Sequence, residues 1–298
     1  MPAFAVRLPT SRMALRRTGR RGKLVAWFCL PALALIIGVA GAGDAYAQGR
    51  GGGGGARAGG PPPTARATAP KDLTGYWVAV VTEHWHLRME MPPKNDFSML
   101  PVNAEARRLA GMWSPAQDAG NECRAYGAAS IMRVPGHLHI TWADDNTLKI
   151  ETDSGTQTRL LHFAGGAAPA AAPSSATAPS ATATQPDWQG YSVASWAGVA
   201  MGRGGKAPGP AGNLGVTTTR MRAGYLRKNG VPYSENTVLQ EYFDRFTEPN
   251  GDSWLVVTSI ITDPQYLTGP YATTNHFKKV PDNAPGWDPT PCRADQPR

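Results

Sequence analysis

Apolar and polar residues alternate at period two through most of the chain beyond residue 70. Successive side chains of a strand point to opposite faces, so this period predicts strands with one buried face. It is clearest in GYWVAVVT (75–82), HLHITWAD (137–144), TLKIETD (147–153), TQTRLLHF (156–163) and WQGYSVASW (188–196). It continues in LGVTTTRM (214–221), LQEYFDRF (239–246), SWLVVTSIIT (253–262) and YATTNHFKK (271–279). Asp144-Asp145-Asn146 and Asn250-Gly251 supply turn residues between neighbouring strands. Helical spacing occurs once, in NAEARRLAGMW (103–113), with Asn103 placed to cap it and Leu109 and Met112 on one face. Nine or ten short strands with little helix predict an all-β fold, an antiparallel barrel or a two-sheet sandwich with one short helix.

EHWHLRMEM (83–91) alternates too, with His84, His86, Arg88 and Glu90 on one parity and Trp85, Leu87, Met89 and Met91 on the other. The pattern predicts a strand with an apolar face and a polar face, the latter ordinary surface or lumen before a catalytic site.

Pattern of a different kind fills the first 47 residues. Basic residues at 16, 17, 20, 21 and 23 precede the apolar run 24–40 and an Ala45-Tyr46-Ala47 cleavage signal, the order of a secretory signal peptide. The alternative is an uncleaved anchor, for which the apolar run, broken by Pro31, is short. Residues 48–70 read as a disordered Gly/Pro tether, and 71–298 as a single β domain carrying low-complexity insertions at 164–186 and 198–213.

Export changes how the charge is weighed. The leader holds seven of the 30 Lys and Arg and one of the 22 Asp and Glu, leaving 23 basic and 21 acidic residues, a net charge of +2. That balance argues against nucleic acid as a partner, which wants a clustered basic surface. Cys29 leaves with the leader, and Cys123 and Cys292 remain as an even pair in an oxidising compartment, predicting one disulfide. Periplasm or secretion is the expected location, with the membrane involved only through an uncleaved leader.

Two resemblances attach to these residues. LTGYWV, with Gly75 and Trp77 opening the first strand, resembles the G-x-W start of lipocalins and related calycins. DWQGYSVASW, NGVPYSENTVLQEYFDRF, TDPQYLTGPYATTNHFKK and the closing WDPTPC resemble a group of exported bacterial proteins of unassigned activity. The first likeness implies a barrel; the second implies export and a β-rich fold and names no substrate.

Candidate chemistry lies in three places. His84 with His86, and His137 with His139, form H-x-H pairs; on a strand each pair lies about 7 Å apart on one side. If the two strands meet, four imidazoles converge, with Glu90 as a carboxylate, to hold a divalent metal. Glu241 and Arg245 share a strand face with apolar neighbours, as a buried ion pair or as a polar anchor for a ligand. Ser192, Asp263 and His276 follow hydrolase chain order, but no strand–turn–helix surrounds Ser192, so it is expected to be a plain strand residue.

The expectation is an exported binding protein for a small, partly apolar molecule held in a barrel interior. Trp77, Trp85 and Trp142 would line its apolar part, with His84, His86, Glu241 and Arg245 as polar contacts. No cofactor is expected. The alternatives are a metal-assisted or acid–base enzyme using the four histidines, and an envelope module that binds a partner protein.

Overall fold

The computed structural model describes residues 63–163, 186–197 and 212–298. The leader, residues 48–62 and nearly all of both insertions lie outside the described residues. Among the described residues eleven strands are formed: β1 (Gly75–Val80), β2 (His137–Asp144), β3 (Thr147–Thr152), β4 (Gln157–Phe163), β5 (Tyr191–Trp196), β6 (Leu214–Thr219), β7 (Gly224–Arg227), β8 (Val231–Tyr233), β9 (Val238–Thr247), β10 (Ser253–Thr262) and β11 (Tyr271–Val280). Nine close into a barrel in the order β1-β11-β10-β9-β6-β5-β4-β3-β2, and β7 and β8 form a separate hairpin. Of the two predicted β architectures, the barrel is the one formed.

A closed ring with an odd number of strands cannot alternate direction throughout, so one junction must be parallel. It is β4–β5, through Leu161–Ser192 to Phe163–Ala194. Parallel neighbours need a crossover of a dozen residues or more. β4 ends at Phe163 and β5 begins at Tyr191, far enough apart in sequence to meet that requirement.

Period-two alternation places the core. Leu239, Glu241 and Phe243 on β9, Leu255, Val257, Ser259 and Ile261 on β10, and Tyr271, Thr273, Asn275 and Phe277 on β11 are all buried. Of these, Phe243, Leu255, Val257 and Phe277 join Trp77, Ile140, Ile150, Leu161 and Leu214 in the cluster that fills the barrel, while Leu239, Ile261 and Tyr271 pack in a second cluster. Trp77 donates its Nε1–H to the carbonyl of Leu73 at 3.0 Å, which satisfies the one polar atom of a fully buried ring.

One mouth of the barrel is covered by a cap made from the segments between strands. It contains α1 (Ala104–Met112), α2 (Ala128–Ile131), the β7–β8 hairpin and 3-10 turns at Trp85–Leu87, Pro115–Asp118 and Glu122–Tyr126. Asn103 caps α1 as predicted, its Oδ1 accepting from the Ala106 amide at 2.9 Å. The buried face is Ala106 and Ala110 rather than Leu109 and Met112, and Met112 is exposed. A second apolar cluster of Leu100, Val102, Met221, Leu226, Tyr233 and Leu267 joins this cap to the strand ends.

Cys123 and Cys292 are bonded, as predicted, with Cα atoms 5.1 Å apart. The bond ties the C-terminal segment to the cap. At the other mouth, residues 63–70, the end of the stretch read as a tether, lie against the barrel. There Trp196 donates to the Ala65 carbonyl at 3.3 Å, and the Ala65 amide donates to Asn146 Oδ1 at 2.9 Å.

Candidate functional site

The sequence-predicted site residues do not assemble at one place. EHWHLRMEM is not a strand. His84 takes a left-handed backbone (φ 48°) and Trp85–Leu87 form a 3-10 turn, with the Leu87 amide bonded to the His84 carbonyl at 2.8 Å. Leu87 and Arg88, adjacent in sequence, are both buried while Trp85, His86, Met89 and Glu90 are exposed. A half-buried strand cannot bury consecutive residues, and Pro92-Pro93 cannot donate to a ladder, so the alternation there was not a strand signal.

His137 and His139 do lie on a strand, on the outer parity of β2, and each meets a carboxylate. His137 Nδ1 lies 2.8 Å from Asp153 Oδ2, and His139 Nδ1 lies 3.2 Å from Glu151 Oε2. The His139 ring stacks on Tyr76 with centroids 4.0 Å apart. Among the described residues no three His, Cys, Asp or Glu side chains converge as metal ligands, so the predicted four-histidine centre is not formed.

The tryptophans separate as well. Trp77 is enclosed in the barrel core, and Trp85 is 58% exposed on the cap turn. Trp142 packs against Phe163, centroids 5.6 Å apart, and Phe163 against Trp196, at 5.7 Å. Ser192 Oγ bonds Thr218 Oγ1 at 2.8 Å inside the barrel, and Asp263 accepts from the Ser234 amide and Thr237 Oγ1, so no hydrolase triad forms.

Glu241 and Arg245 share the inward parity but not a bond. Four strand residues span about 13 Å, too far for a direct pair. Glu241 instead accepts from Arg159 of β4, at 3.2 and 2.6 Å, and both side chains are fully buried. Arg159 Nη2 also donates to Thr218 Oγ1 at 3.4 Å. Arg245 donates to the Asp72 carbonyl and lies over the Trp77 ring. The barrel interior thus holds a buried polar row through Arg159, Thr218, Glu241, Ser259 and Asn275, set between apolar clusters. Asn275 Oδ1 and Nδ2 find no protein partner there.

A cleft opens outside the barrel instead, between the cap and the C-terminal segment. It is lined by Leu87 at the end of the 3-10 turn with Arg88 and Glu90 beyond it, by Ser130, Arg133, Val134 and Pro135 around the end of α2, by Leu226, Arg227 and Lys228 at the end of β7, and by Pro297. It leaves about 30 Å³ for the centres of water-sized groups. That suits a headgroup of a few heavy atoms, since one water needs ~10–15 Å³ on this measure.

Four cations frame this cleft. Arg88, 5% exposed, donates its Nε–H to the Arg133 carbonyl at 2.9 Å, and its Nη2 is buried with no partner. Burial, with the Arg133 charge beside it, pushes the Arg88 guanidinium down to about 10. Arg227 donates to the Ser98 carbonyl at 2.8 Å and lies 3.7 Å from Asp96. Lys228, also buried, donates to Tyr126 Oη at 2.5 Å and to the Gln296 carbonyl at 2.8 Å. Burial pushes its ammonium down to about 7. Among the described residues neither Arg88, Lys228 nor Arg133 has a carboxylate within ion-pairing distance.

Arg88 was visible in the sequence only as one polar position of a supposed strand, and nothing marked Arg133, Arg227 or Lys228. They come from three separate segments, and Lys228-Asn229-Gly230 reads as an exposed turn. Only the disulfide hinted that the C-terminal segment and the cap would meet. No protein-family model, curated protein or solved structure matches the chain.

Proposed function

We propose that this protein is an exported small-molecule-binding protein whose site is the cap cleft, the barrel serving as its scaffold. The observation that carries this is the buried, unpartnered Nη2 of Arg88 at a concave site. A buried donor without an acceptor costs ~1–3 kcal/mol, more when charged, and a bound ligand removes that cost. The barrel interior is filled by Trp77, Phe243, Phe277 and their neighbours, which favours the cleft over the lumen. Loops fixed on a rigid scaffold commonly carry function, and here the disulfide and a packed barrel fix them.

Native mass spectrometry of the mature protein recovered from the periplasm of its host tests this. An extra mass lost on denaturation is expected. A bare chain, together with no saturable binding by any small molecule offered, sinks the proposal.

A second reading has one observation in its favour. Trp85, Met89, Met99 and Met112 are each at least half exposed within residues 85–112, a concentration of apolar surface that suits a protein partner in the cell envelope. Crosslinking in intact cells through residue 85 separates the two readings, since only a partner protein gives a discrete adduct.

A further inference from the structure

We infer that the cap cleft binds an oxyanion, the phosphoryl group of a phosphate ester or free phosphate, with Arg88 and Arg133 as its direct contacts. The inference rests on the reading of the cleft as a ligand site and names the chemistry of that ligand. Arg227 has Asp96 at 3.7 Å and is largely balanced. Arg88, Arg133 and a Lys228 that is only partly charged at neutral pH remain against one acid in the lining, Glu90, while Glu83 and Asp295 act on Arg88 and Lys228 from beyond ion-pairing distance, so the lining stays net positive.

Burial makes this excess informative. Among the described residues neither Arg88 nor Lys228 has a carboxylate within ion-pairing distance, and a buried charge normally neutralises or is paired; Lys228, pushed down to about 7, takes the first course. Arginine cannot neutralise at ordinary pH, so Arg88 calls for an anion from outside the chain. Arg88 lines the cleft, its Nε is fixed by the Arg133 carbonyl, and its Nη2 is buried without a protein acceptor among the described residues, so a phosphoryl oxygen would reach this guanidinium edge with a small shift of the side chain. Lys228 spends its donors on Tyr126, Gln296 and, at 3.5 Å, the Arg293 carbonyl, so it contributes no direct contact and only part of a charge at neutral pH. The limited room of the cleft fits a headgroup, with any remaining part of the ligand outside.

Calorimetric titration of the oxidised mature protein with orthophosphate, glycerol 3-phosphate and vesicles carrying phosphatidate tests the inference. One saturable site is expected, weakened at least tenfold by Arg88→Gln and by Arg133→Gln, with Arg88→Lys retaining part of the affinity. Arg133 is only partly buried, so Arg133→Gln tests the site even if Arg88→Gln perturbs folding. Equal affinity for both soluble phosphates points to free phosphate, tighter binding of glycerol 3-phosphate to an ester, and binding only to vesicles to a lipid headgroup. No saturable binding to any of the three, or affinities unchanged in both glutamine variants, overturns the inference. A neutral adduct in the native mass spectrum that Arg88→Gln retains overturns it too, yet leaves the small-molecule reading standing.

Discussion

Removing Glu241 isolates the difference between a barrel that is filled and one that is a ligand chamber. Glu241 and Arg159 are joined by two charge-assisted bonds, 3.2 and 2.6 Å, with neither side chain exposed. Breaking a buried pair from one side leaves an uncompensated charge and costs ~3–5 kcal/mol, whereas replacing both partners by apolar groups of similar volume is close to neutral or stabilising. Glu241→Leu is therefore expected to destabilise by about 4 kcal/mol. At a urea slope of ~2–3 kcal/mol/M this moves the midpoint down by about 1–2 M. The double variant Arg159→Met with Glu241→Leu should recover most of that loss, giving a coupling energy above ~2 kcal/mol in a double-mutant cycle. Urea denaturation followed by tryptophan fluorescence, with the disulfide intact, measures all four corners. Additive single effects, or a Glu241→Leu cost below ~1 kcal/mol, would refute a dry interior pair and reopen the lumen as a solvated chamber.

Other consequences follow from the same geometry. Lys228 carries a proton when unfolded up to about pH 10.5 but when folded only up to about 7, so stability should rise as pH increases between those values. The rise is at most ~5 kcal/mol, and thermal melts of Lys228→Met should lose it. Replacing Cys123 and Cys292 by Ser opens a loop of 169 positions and should cost ~2–5 kcal/mol in urea, with no change in the barrel's far-ultraviolet signature. Asp153, fully buried, accepts from the His137 and Ser154 amides and from Arg298, so Asp153→Ala should lower stability by ~3 kcal/mol and free the C-terminus to proteolysis. Asn275→Leu removes two buried polar atoms that have no protein partner and should fall within ~1 kcal/mol of wild type or above it in melting experiments.

Strand positions were legible because burial on one face imposes period two, which β2, β6, β10 and β11 follow most clearly. The same rule failed at residues 83–91. Its signal is alternation alone, and a short turn ahead of two prolines mimics alternation without any ladder. The β7–β8 hairpin was missed because all of Val231, Pro232 and Tyr233 are buried, which erases the alternation. Glu241 was rightly placed facing inward, but its partner came from β4, 82 positions away, and local spacing cannot show that. The cysteine pair was legible from its even count together with the expectation of export. The cleft was not, since its cations are ordinary in sequence and acquire meaning only by being buried together without carboxylates.

A crystal structure of the protein as isolated from its host, without exchange into phosphate or sulfate, tests the central claim most directly. The account predicts ligand density in the cap cleft within hydrogen-bonding distance of Arg88 Nη2, and a barrel interior filled by its own side chains. Ligand density between Asn275 and Arg159, with the cap cleft holding none, would contradict it.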